Sequence, residues 1–482
     1  MSLKRFFSIR WTAALGISLA VLGCGGGGGG GSDTGLGDYT GPLPFEDAPL
    51  VASASVANMC TDLRQKQFLR SYLDEVYLWP EQVQRQNPLS YSDVHGYFNG
   101  IKAPSSVDRF SFSESAAEAD QREASEAFDV GILWRNTGTA SSPLWRIARV
   151  APGSPADLAG LQRGYIALGL DTNLYEPNAT APYYYNLEYA RPNQAGVYRA
   201  DLTPTLVDED PVGVYRHFNV DGRKVGYVAF ESHYGNAQDQ LITAALDAAA
   251  LGIQDLVLDL RYNRGGFLYM AASLASMIAP SADVARQRDF VRFVPNARQL
   301  AAAPTIAIPL SPSVWYAPPG AQYRSGTNLP QLNLNRVYVL TTDITCSASE
   351  SLINGLRGIG MVVHVIGITT CGKPYGMARQ DNCGNAFYPV EFRGVNAMGQ
   401  ANFVNGFQPT CAVADDMDHA RGDANEGMLA AALTHIRTGT CPTSGQGVNR
   451  LAALTQMASA PRATAFHLKQ RSQPGLALIN PR

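Results

Sequence analysis

The second half of the chain alternates short apolar runs with amphipathic stretches. Four apolar runs predict strands, at Lys224–Phe230, Leu256–Leu260, Val337–Leu340 and Met361–Ile366. Helices are predicted between them, at Ala237–Leu251, at Gly266–Ile278 and from about Ser347 to Gly358. Strands separated by helices require right-handed crossovers and favour a mostly parallel sheet. The pattern therefore predicts an α/β domain over residues 212–440.

A polar, helical pattern opens the folded part of the chain. Apolar residues recur at helical spacing from Leu69 to Tyr77, and Pro80 is expected to end that helix. Residues 58–122 are therefore predicted to be an N-terminal helical segment. The run Asp108–Ser111 within it carries no recognisable chemistry and is interpreted as part of a packing cap over the later domains.

A β-rich pattern follows over residues 123–211. Strands are predicted near Phe128–Ile132 and Trp145–Val150. The run Ala151–Ala156 then predicts a proline-glycine turn that leads into a short helix. At the other end of the chain, residues 441–482 have no strong periodicity and are predicted to be a loosely ordered tail.

The first residues have the pattern of an export signal. Basic residues precede an apolar run, Trp11–Gly23, that is too short to span a bilayer core of about 20 helical residues. Residues 1–23 are therefore predicted to be a signal peptide. The small residue before Cys24 resembles the box at which bacterial lipoproteins are cleaved and acylated, so Cys24 is the predicted lipid anchor. An ordinary secretory signal with an incidental Cys24 is the alternative.

A run of seven glycines follows Cys24 and cannot bury apolar surface. Residues 24–57 are therefore predicted to be a flexible linker that holds the folded part away from a membrane. The predicted location is the periplasmic face of a bacterial envelope, with the membrane contacted through the N-terminal lipid.

The charge balance argues against a nucleic-acid partner. The whole chain has a net charge of −3, with 38 basic and 41 acidic residues. Removal of the predicted signal peptide takes away three basic residues and leaves a net charge of −6. A protein that binds nucleic acid needs a basic face, so none is expected to bind here.

The cysteine count favours disulfides. Besides Cys24 the chain has six cysteines, and an even number in an exported chain is typical of a disulfide framework. No spacing among them suits zinc, and neither a metal nor a cofactor is predicted. Cys371 and Cys383 bracket a segment rich in Gly, Pro and Asn and are the predicted pair. The other pairings stay open: they involve Cys60, Cys346, Cys411 and Cys441.

Two segments at the ends of predicted strands carry candidate chemistry, because parallel sheets bind ligands at the carboxyl ends of their strands. The first, residues 258–266, reads LDLRYNRGG, and its paired glycines allow backbone conformations that other residues avoid. The second, residues 342–350, reads TDITCSASE and sets Ser347 at a helix N-terminus. Unpaired N–H groups at that position favour developing negative charge.

The order of these motifs resembles the C-terminal processing protease family, also called tail-specific proteases. DLR-x-N-x-GG is followed by S-A-S-E and then by the Gly-Lys pair that ends at Lys373. The resemblance implies a helical segment and a PDZ domain before a crotonase/ClpP-like α/β protease domain. It also implies that Ser347 is the nucleophile, that Lys373 is its general base, and that the amides of Gly265, Gly266 and Ala348 form the oxyanion hole.

The chemistry of serine and lysine side chains is consistent with these roles for Ser347 and Lys373. A serine hydroxyl becomes a good nucleophile only when a base takes its proton, and lysine is a base only when it is neutral. The ordinary lysine pKa near 10.4 must therefore fall by about three units, a differential cost of about 4 kcal/mol that burial can impose.

Two points differ from the family or compete with the assignment. Members usually carry Gln four residues after the lysine, to orient it, and this chain has Met377. Gln380 or a backbone carbonyl are candidates for that role. His233, at the end of a predicted strand, is a competing base for a Ser/His arrangement, and its alternative interpretation is a strand-end histidine in contact with water.

The PDZ-like unit has a candidate peptide site. A peptide would add to an exposed strand edge, with its carboxylate held by N–H groups near Val130, Gly131 and Ile132. The sequence departs from the PDZ pattern at Tyr165, where an acidic residue is usual. A degenerate groove is therefore the alternative to a working one.

These features together predict an exported, lipid-anchored serine endopeptidase that acts on extended protein or peptide substrates, including segments near their C-termini. The rival prediction is a catalytically silent lipoprotein that binds partners through PDZ and protease-like folds. The two predictions differ in one observable feature. Only the peptidase requires that the Lys373 side chain reach Ser347 beside the glycine pair. The sequence does not indicate an oligomeric state.

Overall fold

The structure is a computed structural model that describes residues 50–139, 141–172, 185–208, 210–235, 237–302, 305–442 and 476–478. The predicted signal peptide, Cys24 and most of the glycine linker lie outside these residues. Within them the helices are α1 Asp62–Val76, α2 Val94–Ile101, α3 Ala116–Glu123, α4 Pro155–Leu158, α5 Ala237–Leu251, α6 Leu268–Ile278, α7 Ser281–Ala285, α8 Ala297–Ala302, α9 Ala348–Gly358 and α10 Gly427–Thr438.

The strands follow the chain in the same order. They are β1 Phe112–Ser115, β2 Glu126–Asp129, β3 Ile132–Asn136, β4 Trp145–Val150, β5 Ile166–Thr172, β6 Tyr185–Ala190, β7 Tyr198–Leu202, β8 Thr205–Asp208, β9 Val212–Val220, β10 Arg223–Phe230, β11 Asp255–Asp259, β12 Gly265–Phe267, β13 Asp289–Pro295, β14 Ala307–Pro309, β15 Arg336–Thr341, β16 Val362–Gly367, β17 Tyr375–Gly376, β18 Gln380–Asn382, β19 Asn385–Tyr388, β20 Phe392–Val395, β21 Cys411–Ala412 and β22 Leu476–Leu478.

A six-stranded sheet in the order β21-β16-β15-β11-β10-β9 forms the centre of the α/β domain. All neighbouring strands are parallel except the edge hairpin β9–β10. The prediction of a mostly parallel sheet is confirmed. Because β11 and β15 are adjacent and parallel, the loops that follow them emerge at the same edge, and these loops carry the two candidate segments.

Helices cover both faces of this sheet. α5, α6 and α9 pack on one face around buried residues such as Leu258, Leu274 and Ile353. α10 covers the other face and packs Met428 and Leu429 against the sheet. β11 and most of β15 are therefore buried on both faces, which explains why they read as continuous apolar runs.

The N-terminal helical segment belongs to the same core as the protease sheet. Phe68, Leu69 and Leu73 of α1 are buried in the cluster that also holds α5, α6 and α9. β1, which follows the helices, pairs antiparallel with β19 of the protease domain. The segment is therefore packed into the α/β domain over a large apolar surface, more intimately than a surface cap.

The β-rich unit contains a five-stranded antiparallel sheet in the order β3-β4-β5-β6-β7, and a separate pair β2–β8. β3 is an edge strand of that sheet, as strand addition requires. Two carbonyl groups of the predicted peptide site are already used: Ala156 N–H donates to Val130 C=O at 3.0 Å, and Ala151 N–H donates to Gly131 C=O at 2.8 Å. The peptide site at Val130–Ile132 stays a prediction.

A buried charge network joins the β-rich unit to the protease sheet. The Arg261 guanidinium pairs with Asp259, Asp415 and Glu426 at 2.7 to 2.9 Å. Arg163, from the β-rich unit, pairs with the same Asp415 at 2.6 Å. Burial would raise the pKa of Asp415, but Arg163 and Arg261 together hold it below its usual value.

The predicted disulfide between Cys371 and Cys383 is wrong. The pairs are Cys60–Cys383, Cys346–Cys371 and Cys411–Cys441. Cys383 lies in the turn between β18 and β19, where Asn58 N–H donates to Asn382 Oδ1 at 2.7 Å, so its partner comes from the N-terminal segment. Cys371 instead follows β16 and lies beside the turn before α9, where its N–H donates to Thr345 C=O at 3.1 Å.

The region predicted as a loosely ordered tail contains one described strand. β22 pairs in parallel with β12 of the protease domain, and the residues on either side of β22 lie outside the described part of the chain. Among the described residues, no helix has the length and apolar character needed to cross a membrane.

Candidate active site

Ser347 lies in a sharp turn between β15 and α9. Its backbone has φ 61° and ψ −112°, a conformation that residues with side chains rarely adopt. Two hydrogen bonds hold the turn: Thr345 Oγ1 donates to Leu260 C=O at 2.7 Å, and Cys346 N–H donates to Asn263 C=O at 3.1 Å. The strained conformation is therefore maintained by bonds to the segment after β11.

The Ser347 hydroxyl is buried, and its Oγ has no hydrogen-bond partner among the described residues. A buried hydroxyl normally finds a partner, because an unpaired one costs about 1–3 kcal/mol. Ser347 therefore does not act as an ordinary helix cap. Its hydroxyl is available to a reacting group or to a base.

Glu350, in the first turn of α9, ties the serine turn to the lysine loop. One carboxylate oxygen, Oε2, accepts from Ser347 N–H at 3.0 Å and from Lys373 N–H at 2.8 Å. The other oxygen accepts from Gly372 N–H at 2.8 Å and from Thr370 Oγ1 at 2.5 Å. Burial raises the pKa of Glu350, against these hydrogen bonds, which favour the carboxylate.

This arrangement fixes the spacing of the two segments. The backbone nitrogens of Ser347 and Lys373 lie within two hydrogen-bond lengths of each other because they share one oxygen atom. The Cys346–Cys371 disulfide adds a covalent link between the same segments. The structure thus brings Ser347 and Lys373 together from segments that are separate in sequence.

Lys373 is fully buried, and burial lowers its pKa from the ordinary value to about 7, against the attraction of Asp108 and Glu350. Its Nζ lies 3.9 Å from Met377 Sδ and 5.3 Å from the centre of the Phe110 ring. A thioether is a weak acceptor, so Met377 does little to favour the charged lysine. A large part of the lysine is therefore neutral near pH 7, as a general base must be.

The glycine strand β12 lies beside these residues. Asn263 Oδ1 accepts from Gly265 N–H at 2.9 Å, so the Gly265 amide already has an acceptor within its own loop. The role of Gly265 in an oxyanion hole stays a prediction. Gly266, at φ 138°, has no room for a side chain: a Cβ would come within 2.6 Å of His233 C=O.

Ala348 offers a second candidate amide. It is the first residue of α9, and the first N–H groups of a helix have no acceptor within the helix. Ser349 N–H donates to Cys346 C=O at 3.1 Å and Ser351 N–H donates to Ser347 C=O at 2.7 Å. The Ala348 N–H and the Gly266 N–H are therefore the two candidates for an oxyanion hole.

His233 is part of the support of the glycine strand. It is fully buried, which excludes the water-exposed histidine that the sequence suggested. Its Nδ1 lies 3.0 Å from Asn263 Oδ1, and its backbone bonds both Gly265 and Phe267. Burial lowers the pKa of His233 to about 4, so its imidazole is neutral and is held by Asn263.

Two neighbours of the site were missed in the sequence. Phe110 lies over Lys373 Nζ, and Arg109 Nη2 donates to Cys371 C=O at 2.9 Å, so the Asp108–Ser111 run lines the lysine loop. Asp108 itself accepts from the Phe110 N–H at 2.9 Å and from the Tyr77 hydroxyl at 2.5 Å. No local pattern marked these residues, because their role depends on the packing of the helical segment against the sheet.

Comparison with known families agrees with this description. The family described as Peptidase family S41 matches residues 224–412, and the Peptidase S41 N-terminal domain matches residues 64–112. These matches identify a peptidase S41 domain preceded by the N-terminal domain of that family. The protein is a serine peptidase of the S41 type and resembles the C-terminal processing proteases.

The first of two similar solved structures shows the same fold. A putative S41 protease from Bacteroides fragilis is 24% identical, with a TM-score of 0.59, and the match covers 77% of this chain and 97% of that chain. The photosystem II D1 C-terminal processing protease is 18% identical, with a TM-score of 0.44, and the match covers 73% of this chain and 92% of that chain. A search of curated protein sequences finds no match.

Proposed function

We propose that this S41 peptidase is an exported, lipid-anchored endopeptidase. It cleaves extended protein or peptide segments, including segments near C-termini, with Ser347 as nucleophile and Lys373 as general base. The observation that carries the proposal is the burial of Lys373, with its pKa lowered to about 7, on a loop that shares the Glu350 carboxylate with Ser347.

In the first half of the reaction, Ser347 is acylated by the substrate. Neutral Lys373 takes the proton of the Ser347 hydroxyl while Oγ forms a bond to the carbonyl carbon of the substrate. The carbonyl oxygen becomes an oxyanion and accepts from the N–H groups of Gly266 and Ala348, each worth about 3 kcal/mol. The lysine ammonium then gives its proton to the departing amine, and the carbon–nitrogen bond breaks.

The second half releases the acyl group. The neutral lysine takes a proton from a water molecule, whose oxygen attacks the ester carbonyl. The same two amides hold the second oxyanion. The lysine proton then returns to Ser347 Oγ as the ester bond breaks, and the carboxylic acid product leaves. Throughout, Glu350 holds the serine turn and the lysine loop at a fixed distance.

The test compares four purified proteins on an unstructured peptide across pH: wild type, Ser347→Ala, Lys373→Met and the double variant. Because the two residues act as a unit, all three variants should lose about a thousandfold or more in kcat, and the losses should not add. Wild-type kcat/KM should rise with pH along a limb near 7, because only the neutral lysine is a base.

The control is Lys66→Met, which removes another buried lysine, one that pairs with Asp62 at 2.6 Å in α1. It should retain wild-type activity once its fold is confirmed by circular dichroism. His233→Gln should leave the position of the pH limb unchanged. Full activity in folded Lys373→Met would remove the Ser/Lys assignment, and an inactive wild type would favour the silent partner-binding protein.

The location rests on a different observation. Three disulfides are typical of a protein that folds outside the cytoplasm. Acylation of Cys24 would supply the membrane anchor, in keeping with the apolar run and the glycine linker on either side of it.

A further inference from the structure

β12 has a partner strand that the proposed mechanism does not use. β22 pairs with it in parallel, in a register that sets Ala477 opposite Gly266. β22 also has Cα atoms within 8 Å of α9, which follows Ser347, and of β17, which follows Lys373. A segment of the chain itself therefore lies among the three elements that build the site.

In this register β22 faces the amide of Gly266, which is a candidate for the oxyanion hole. His233 N–H donates to Gly265 C=O at 3.1 Å, and Phe267 N–H donates to His233 C=O at 3.0 Å, so these two residues face His233. Backbone groups of successive residues in a strand point to opposite edges. The Gly266 N–H and C=O therefore face β22. A bound substrate and β22 compete for the same backbone groups.

The sequence of this segment is also suited to binding as an extended peptide. Residues 474–479 read PGLALI and contain no charged side chain. An extended apolar peptide of this kind adds to a strand edge through its backbone, as peptides do in strand-addition complexes. Residues 476–478 are paired with a neighbouring strand, as strand addition requires of a bound peptide.

We propose that the segment containing Leu476–Leu478 occupies the substrate-binding cleft of its own chain and competes with substrate. The proposal rests on the proposed function for the role of the cleft, but occupancy is a binding equilibrium that can be measured without catalysis. Only the fraction of molecules with an open cleft binds substrate, so the apparent KM rises by the reciprocal of that fraction and kcat does not change.

The binding test uses Ser347→Ala, which cannot cleave, as the parent protein. A labelled synthetic peptide of residues 471–482 is titrated against the parent and against the parent with Leu478→Pro, which removes an N–H from the paired segment. The peptide should bind the proline variant about tenfold more tightly, because its cleft is open. Leu478→Ile keeps the N–H and should behave as the parent. Equal affinity in all three proteins, or binding to none, overturns the proposal.

The catalytic test repeats these substitutions in the active chain. Leu478→Pro should lower KM about tenfold and change kcat by less than about twofold, whereas Leu478→Ile should match wild type. Unchanged KM in folded Leu478→Pro contradicts the proposal. Cleavage of wild type within residues 471–482, at a rate independent of protein concentration and absent in Ser347→Ala, supports it, since the segment must enter its own cleft to be cut.

The two tests separate the two hypotheses. If the labelled peptide binds the Leu478→Pro variant more tightly but the active chain cleaves no peptide, the cleft is occupied and the proposed peptidase function fails. If the active enzyme shows the Ser347 and Lys373 dependence but not the Leu478 effect, the peptidase function stands and the occupancy fails.

Discussion

The basicity of Lys373 depends on what surrounds its Nζ atom. Burial lowers its pKa to about 7, and two of the groups around it are the Met377 thioether and the Phe110 ring. Neither offers a strong acceptor that would favour the ammonium form over the amine. Position 377 is therefore where a single substitution should change the protonation of the lysine without removing it.

Met377→Gln places an amide oxygen near Nζ. A hydrogen bond to a charged group contributes about 1.5–3 kcal/mol, and one pKa unit corresponds to about 1.4 kcal/mol. The variant should therefore raise the pKa of Lys373 by about one unit and shift the limb of kcat/KM to higher pH. Activity at pH 7 should fall, and activity on the alkaline plateau should be retained.

The matched control is Met377→Leu, which has a similar volume and no acceptor. Its pH limb should stay at or below that of wild type. A Met377→Gln enzyme whose limb coincides with that of wild type would show that position 377 does not set the protonation of the lysine.

Residue types and order were enough to propose Ser347 and Lys373, because the glycine pair, the serine motif and the Gly-Lys pair are local in sequence. They were not enough to predict which glycine amide is bonded within its own loop. The difference between Gly265 and Gly266 depends on the Asn263 side chain, which takes the Gly265 N–H. That choice is made by a side-chain rotamer, which a sequence pattern does not specify.

At the scale of elements, the turn before α9 and the loop before β17 depend on each other. Cys346 directly precedes Ser347, and Cys371 lies two residues before Lys373, so their disulfide joins the loops that carry the proposed nucleophile and the proposed base. Glu350 joins the same loops through hydrogen bonds. The relative position of the two reacting groups is therefore held by one covalent and several polar links.

Replacement of both Cys346 and Cys371 by Ala should loosen that position. A misplacement of about 1 Å can cost a factor of a hundred, so kcat should fall on the order of ten- to a hundredfold, with a small change in KM. The measurement is steady-state kinetics of the double variant and of the wild type before and after reduction.

Cys411 and Cys441 provide a matched control. This pair closes a loop with a sequence separation of 30 residues, against 25 for Cys346 and Cys371. Loop-closure entropy predicts a similar loss of stability for either pair, about 3 kcal/mol. Only the pair beside the dyad should lower kcat. Equal losses of kcat in both double variants would mean that the disulfide acts through stability alone.

The alternation of strands and helices was readable because the buried strands are continuous apolar runs, as in Leu256–Leu260. The disulfides were not readable for a physical reason. Cys60 and Cys383 are 323 residues apart in sequence and meet only because α1 packs beside the β18–β19 turn. A pairing guess based on short loops favours local partners and misses a link of this length.

At the scale of the whole molecule, the proposed anchor makes a prediction about location. Cys24→Ala should leave the protein without acyl chains, and the protein should then leave the membrane fraction, because lipid supplies its membrane affinity. Wild type should stay with membranes after a carbonate wash, and the variant should appear in the soluble fraction with unchanged specific activity. Retention of the variant on washed membranes would exclude the anchor.

The helical segment contributes to the site as well as to the core. Phe110 and Arg109 contact the lysine and its loop, and β1 pairs with β19. The sequence indicated a cap, since the segment is polar and its contacts are distant in the chain. Packing against the protease core gives these residues their role, and that packing is a property of the complete fold.

The Cys60–Cys383 disulfide should hold the enzyme together after a cut by another peptidase. A single cut in any exposed loop between residues 60 and 383 leaves the two fragments covalently joined. The nicked chain keeps its helical segment beside the lysine loop, so the fragments cannot diffuse apart. Such molecules would migrate as one band on a non-reducing gel and as two after reduction. A nicked molecule therefore stays in one piece until its disulfides are reduced.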